Sequence, residues 1–193
     1  AAFCAALALA VAKVYSPAER DASRALAHSS LERAKRPQGQ REGNVIDWEW
    51  SPAGRADLYE EPGVKEVKWI FNDGLSPTLL PAGHFANREG VLRRLINYIP
   101  LELRNPKSMA IIGSGSGIEV LLARLAGAER IVAVELNAAI IRLVRRWEEF
   151  SGPVYDQAGV ELHVAEGRRF LTGRGERYDL IQMAFVLTGT QAA

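Results

Sequence analysis

Three glycines at alternate positions, Gly113, Gly115 and Gly117, open a stretch whose residue types could do chemistry. Glycine allows positive φ and lets a ligand approach the backbone closely. Ahead of them, Met109 to Ile112 is a short apolar run, as expected of a strand buried on both faces. Behind them, Ile118, Leu121, Leu122 and Leu125 recur at helical spacing. Ser116 reads as the N-cap of that helix and Gly127 as its stop. Ile131 to Val134 is a second strand, and it ends in the acid Glu135. Strand, glycine loop, helix, strand and acid together predict a nucleoside site. The ligand lies over the loop at the helix N-terminus, above its backbone amides, and the acid accepts hydrogen bonds from two ribose hydroxyls. Such an acid falls about 20 residues past the glycines. Glu135 lies eighteen past Gly117 and twenty-two past Gly113.

The loop pattern narrows the ligand. The dinucleotide fingerprint G-x-G-x-x-G needs glycine at 118, where this chain has Ile118. Its G-x-G-x-G form is the one commoner in folds that bind S-adenosylmethionine or its relatives.

The elements that position these residues follow in order. Asn137 caps a helix predicted through Phe150, with Ile140, Ile141, Val144 and Trp147 on one face and Arg142, Arg145, Arg146, Glu148 and Glu149 as its solvated face. Ser151 to Gln157 reads as a loop, Val160 to Val164 as a third strand, and Glu166-Gly167 leads into a short helix from Arg168. Tyr178 to Val186 reads as a fourth strand. The order βαβαβαβ predicts a parallel sheet with right-handed crossovers. Upstream, 45–50, 55–59 and 64–71 read as three short antiparallel strands, and Asn72-Asp73-Gly74 as a turn. Leu75 to Pro81 reads as a proline-fixed loop able to lie over a site. Glu89 to Tyr98 has helical spacing, with Pro100 as its stop.

The domain reading is an apolar start and polar linker over 1–43, a small β subdomain over 44–80, and a Rossmann-like nucleoside-binding domain over 81–193. The chain begins at Ala1 and runs off just after the fourth strand, so it is expected to be a fragment whose last domain is incomplete. Ala1 to Ala12 is uninterrupted apolar, followed by Lys13 and Tyr15. It reads as the tail of a membrane span, a buried helix or a signal-peptide remnant. The net charge of +1 in 193 residues, without a basic aromatic-laced run, argues against nucleic acid. One cysteine, Cys4, excludes an internal disulfide and a cysteine-based zinc site. No metal is expected. His163 reads as a packed or edge histidine rather than a ligand.

From Asn44 onward the chain resembles the spermidine synthases, the polyamine aminopropyltransferases, and more narrowly their spermidine synthase-like relatives, some of which carry membrane spans. The motifs are Asp73-Gly74, Tyr98-Ile-Pro-Leu, Asn105-Pro-Lys, Gly113-Ser-Gly-Ser-Gly, Val134-Glu-Leu-Asn, Glu166-Gly-Arg with Phe170-Leu, and Tyr178-Asp. The resemblance implies the class I S-adenosylmethionine-dependent methyltransferase fold, an α/β Rossmann-like domain, here truncated and preceded by a small antiparallel β subdomain. It implies a donor site at Gly113, Ser114, Gly115, Gly117, Glu135, Leu136, Glu166 and Gly167. The donor is S-adenosylmethionine or its decarboxylated form, bound as substrate.

The departures bear on activity. The family takes a proton from the attacking amine, and fixes the polyamine, with a carboxylate-rich segment after the last strand. Laid onto this chain, that segment falls on 184–188, with Ala184 and Leu187 where carboxylates stand. Another family aspartate falls on Ser116, and a Tyr-His-Glu stretch on Leu92-Arg93-Arg94. An apolar pair can neither accept a proton nor hold a polycation. Glu119, in the first helical turn, reads as an offset to the helix dipole, with catalysis as the alternative. Gln182 could bond a ligand or a neighbouring strand. Three readings follow: an aminopropyltransferase-like protein with no assigned acceptor or catalytic residue, a methyltransferase on the same fold, or a non-catalytic module of a membrane protein. The compartment expected is cytoplasmic, with tethering to the inner membrane through the apolar start as an option.

Overall fold

The computed structural model describes residues 45–73, 76–87 and 89–184. All belong to the compact unit Asn44–Ala193. The apolar start and linker, Gly74, and the 185–193 tail lie outside the described residues.

The front of the unit is an antiparallel meander of four strands in the order β1-β2-β3-β4. They are β1 Val45–Ser51, β2 Gly54–Tyr59, β3 Val67–Asn72 and β4 Ser76–Pro81. The last corrects the loop expected over 75–81. Its prolines misled: proline cannot donate to a ladder, but β4 is an edge strand, where that donor is dispensable. Pro77 pairs with Phe71 and Pro81 with Val67.

The predicted helix 89–98 is broken. Only α1, Glu89–Leu92, is helical, because Leu95 is extended (φ −68°, ψ 141°). A 3₁₀ turn Ile96–Tyr98 then leads into α2, Ile99–Arg104. Pro100 sits in the first turn of α2, so it opens a helix instead of ending one. Its missing N–H falls where the helix leaves donors unpaired anyway.

A parallel sheet follows, built of β5 Ser108–Ile112, β6 Arg130–Glu135, β7 Val160–Val164 and β8 Leu180–Gln182, in the order β7-β6-β5-β8. The chain moves outward from β5 to β7, then returns to the other side of β5. In sheets with such a reversal the ligand crevice lies beyond the carboxyl ends of the strands on either side of it, here β5 and β8.

Helix α3, Ile118–Leu125, matches its predicted span, but Gly117 is its N-cap (φ +92°) and no side chain caps it. At its far end Gly127 N–H bonds the Arg124 carbonyl and Ala128 N–H the Ala123 carbonyl, a Schellman stop. The helix after β6 is split at Trp147 into α4, Ala138–Arg146, and α5, Glu148–Ser151. Helix α6 covers Gly167–Arg174. Met109, Ile111, Ile131 and Ala133 pack on α3 and α4, through Val120, Leu122, Ile140, Leu143 and Val144. Ile112, Val132 and Val134 face the other way, toward Phe170, Leu171 and Tyr178. Each fully buried valine, leucine, isoleucine or methionine among them contributes about 1.5–3 kcal/mol by leaving water.

The charged face of α4 is exposed but does more than meet solvent. It docks the front sheet. Arg146 Nη1 donates to Asp47 at 2.9 Å and also pairs with Glu49, and Arg142 bonds the Trp50 carbonyl. The Trp147 indole donates to Asp47 at 2.8 Å. Burial pushes the Asp47 carboxyl up, but the indole and guanidinium donors outweigh it and hold it below the usual range. Among the described residues no helix is long and apolar enough to cross a membrane.

Candidate functional site

Glu135 is the last residue of β6 and only 8 % exposed. Its Oε2 accepts from Gly115 N–H at 2.8 Å and its Oε1 from Asn137 N–H at 2.8 Å. The predicted acid and the predicted loop therefore meet. The loop's own N–H groups, expected to lie beneath the ligand, are instead bonded within the protein. Gly113 and Ser114 N–H both bond the Val134 carbonyl, Gly117 N–H bonds Ser114, Ser116 N–H bonds the Thr78 hydroxyl, and Gly115 N–H holds Glu135. The glycines thus serve shape. A Cβ on Gly115 would stand 2.7 Å from Thr78 Oγ1, and one on Gly117 2.3 Å from Val154 Cγ1.

Ser116 is fully buried, and its hydroxyl bonds Leu79 O on β4 instead of capping α3. Ser114 is buried too, beside Tyr155. The Tyr155 phenol donates to the Gly115 carbonyl at 2.7 Å and lies 3.0 Å from Ser114 Oγ, which can donate back to it. Burial raises the Tyr155 pKa, so it stays a neutral hydrogen-bonding group.

Leu136 is 47 % exposed beside Glu135, an apolar lip at the carboxyl edge of the sheet. Glu166 is exposed and caps α6: its oxygens accept from Arg168 N–H at 3.0 Å and Arg169 N–H at 2.8 Å, which lowers its pKa. Gly167 brings that helix against β5, since a Cβ there would meet Ile112 Cγ2 at 2.3 Å.

The other carboxylates are spread over both ends of the sheet, with Asp179 at the amino ends of β5 and β8. Asp179 Oδ2 accepts from Lys107 N–H at 3.0 Å and Ser108 N–H at 2.8 Å, so it pins the start of β5. Glu119 is 5 % exposed and accepts from Asn97 Nδ2 at 2.9 Å. Burial drives its pKa up to about 7. Gln182, the last residue of β8, is 7 % exposed, and its Nε2 donates to the Asn97 carbonyl at 3.2 Å. Ala184 follows β8, while Leu187 and Thr188 lie outside the described residues. Arg93 pairs with Glu89 at 2.7 Å. His163 stands on the edge strand β7, its ring 4.8 Å from Phe170. Among the described residues no group of acidic, histidine or cysteine side chains is arranged to hold a metal.

Sequence reasoning missed Thr78, Tyr155 and Asn97. Thr78 was hidden by the prolines around it. For Tyr155 the only signal was an aromatic beside Val154 amid turn residues.

No protein-family profile matches the chain. It is 28% identical over 95 residues to the polyamine aminopropyltransferase of Lachnoclostridium phytofermentans, a match covering 48% of this chain and 34% of that protein. It is 25% identical over 118 residues to the polyamine aminopropyltransferase of Archaeoglobus fulgidus, covering 59% of this chain and 44% of that one. Matches thus span about a third to under a half of these relatives' length. Among solved structures, a spermidine synthase in complex with the transition state analogue AdoDATO superposes with a TM-score of 0.56 at 22% identity, covering 72% of this chain and 47% of that one. The spermidine synthase of Thermotoga maritima gives 0.55 at 22% identity, with the same coverages of 72% and 47%. The sequence is similar to polyamine aminopropyltransferases, and the fold is the one spermidine synthases share, of the class I S-adenosylmethionine-dependent methyltransferase kind.

Proposed function

We propose that this spermidine synthase-like chain binds an adenosyl sulfonium compound, S-adenosylmethionine or its decarboxylated form, and presents it for aminopropyl transfer to an amine. The observation that carries the reading is Glu135. A carboxylate has roughly four acceptor positions. Two are used by Gly115 and Asn137 N–H, which leaves one on each oxygen for the two hydroxyls of a ribose. In this reading Gly113, Ser114, Gly115 and Gly117 form the close-approach floor, Leu136 lies against the base, and Glu166 with Gly167 borders the adenine edge. The amine nitrogen attacks the carbon bonded to sulfur. An N–C bond forms, the C–S bond breaks with its pair going to sulfur, and a neutral thioether leaves while the nitrogen sheds a proton. The sulfonium already leaves readily, so the protein's part is mainly positioning. The curated relatives favour this over methyl transfer or a non-catalytic module.

Titration calorimetry with methylthioadenosine and with decarboxylated S-adenosylmethionine tests the reading. Both bind the full chain, and Glu135→Gln weakens both by roughly 10- to 100-fold, the worth of charge-assisted hydrogen bonds. No heat with any adenosyl sulfur compound overturns it. An assay of spermidine formed from putrescine then decides the transfer step.

A further inference from the structure

Two buried acceptors beside the crevice lack what they need. Gln182 Oε1 is buried and has no hydrogen-bond partner among the described residues. The amide cannot be turned to cure this, because its Nε2 is committed to the Asn97 carbonyl. A buried acceptor left unpaired costs about 1–3 kcal/mol, so it calls for an explanation. Glu119 is the second. Its carboxyl is taken out of water, and it receives one side-chain bond, from Asn97, and its own backbone N–H, but no positive charge among the described residues. Among the described residues no lysine or arginine forms an ion pair with it, and burial is the largest influence on its pKa.

The two lie together and beside the donor site. Asn97 joins them, its side chain on Glu119 and its carbonyl on Gln182. Leu180 packs into the core on the α3 side, and Gln182, two residues on, points to the same face of the sheet. The Tyr155 phenol, bonded to Ser114 and Gly115, feels the negative charge of both Glu135 and Glu119.

We propose that Glu119 and Gln182, held by Asn97, form a subsite for a protonated primary amine carried by a substrate. This deepens the donor-site reading and rests on it. A primary ammonium has three N–H donors and a positive charge, which is what an orphan amide oxygen and an uncompensated carboxylate require. It would supply in another place the anchoring that Ala184 cannot. The ammonium could belong to the acceptor or to the aminopropyl arm of the donor.

The test uses Glu119→Gln and Gln182→Leu in the full chain. Glutamine keeps an acceptor for Asn97, so Glu119→Gln keeps its thermal stability, whereas leucine removes the orphan oxygen together with the bond to the Asn97 carbonyl, so the unfolding midpoint of Gln182→Leu is measured beside its binding. Binding is measured for methylthioadenosine, which has no primary alkylamine, for decarboxylated S-adenosylmethionine, and for putrescine with and without methylthioadenosine. Glu119→Gln weakens an amine ligand at least tenfold and Gln182→Leu several-fold, while methylthioadenosine binds as before. Loss confined to putrescine assigns the subsite to the acceptor, and loss confined to the sulfonium assigns it to the donor. Amine binding within twofold of the unaltered chain in both variants, or no amine binding by the unaltered chain, overturns the proposal. Absence of methylthioadenosine binding instead would sink the nucleoside reading, and putrescine alone would still report on the subsite.

Discussion

Glu135 and Glu119 are both buried carboxylates, and the fold treats them differently. Glu135 receives two backbone N–H bonds. Glu119 receives its own backbone N–H and one side-chain amide, and burial outweighs both, lifting its pKa from 4.5 to about 7. The consequence for stability has a sign. Below pH 4.5 the group is protonated whether the chain is folded or not. Between 4.5 and about 7 the unfolded chain sheds the proton and the folded one keeps it, so stability falls as pH rises. The loss is about 3 kcal/mol across the window, at 1.36 kcal/mol per pKa unit. Urea unfolding at pH 5 and pH 8 captures most of it, and Glu119→Gln flattens that slope. Tyr155 gives a second expectation at this scale. Tyr155→Phe leaves the Gly115 carbonyl without its phenol donor, which costs about 1–3 kcal/mol. The same variant loosens the glycine loop and weakens methylthioadenosine binding, read by calorimetry. An unchanged unfolding midpoint would deny Tyr155 this role.

At the scale of elements, Asn137 joins three of them. Its Oδ1 accepts from Ala139 N–H at 2.9 Å and from Ser51 Oγ at 2.7 Å, while its Nδ2 donates to Asn72 at 2.6 Å. Asn137→Ala removes the N-cap of α4 together with two ties to the front sheet. The cap alone is worth about 1 kcal/mol, so the measured loss in chemical denaturation exceeds that figure. The cap was legible in the sequence, because Asn before an apolar-periodic run has few other uses. The two ties were not, since Ser51 and Asn72 lie 86 and 65 residues away. The same contrast holds elsewhere. Helix α3 and strands β5 to β7 could be read because apolar spacing reports local geometry directly. Strand β4 and the broken 89–104 segment could not, because proline has two meanings. Pro77 fits an edge strand and Pro100 a helix start, and only tertiary placement selects between these and a break. Glu135 could be located by its distance from the glycines. The bond from Asn97 to Glu119 depended on where the 96–98 turn came to rest, 22 residues away in sequence.

For the whole molecule, the front sheet and α4 are held by charges at one boundary. Asp47 and Glu49 both have lowered pKa values there, Asp47 against the opposing pull of burial and Glu49 chiefly through its bond to Arg146. A depressed carboxyl contributes stability above its unfolded pKa and loses it as pH falls through the folded value. The boundary therefore weakens below about pH 4, the range where free carboxylates take up protons. Hydrogen exchange at pH 3 should release amides of β1 and β2 ahead of those in β5 and β6, and Asp47→Asn should bring the same pattern at neutral pH. Simultaneous release of both sheets would argue against a separable boundary.

The threonine of β4 that rests on Gly115 has a corollary for ancestry and engineering. Floor and front wall of the crevice are stitched by Thr78 and by Leu79 with Ser116. A glycine loop transplanted from a cousin would arrive without its matching thread, and a borrowed front sheet would leave the loop unlaced. The two must be inherited, or exchanged, as one piece of cloth.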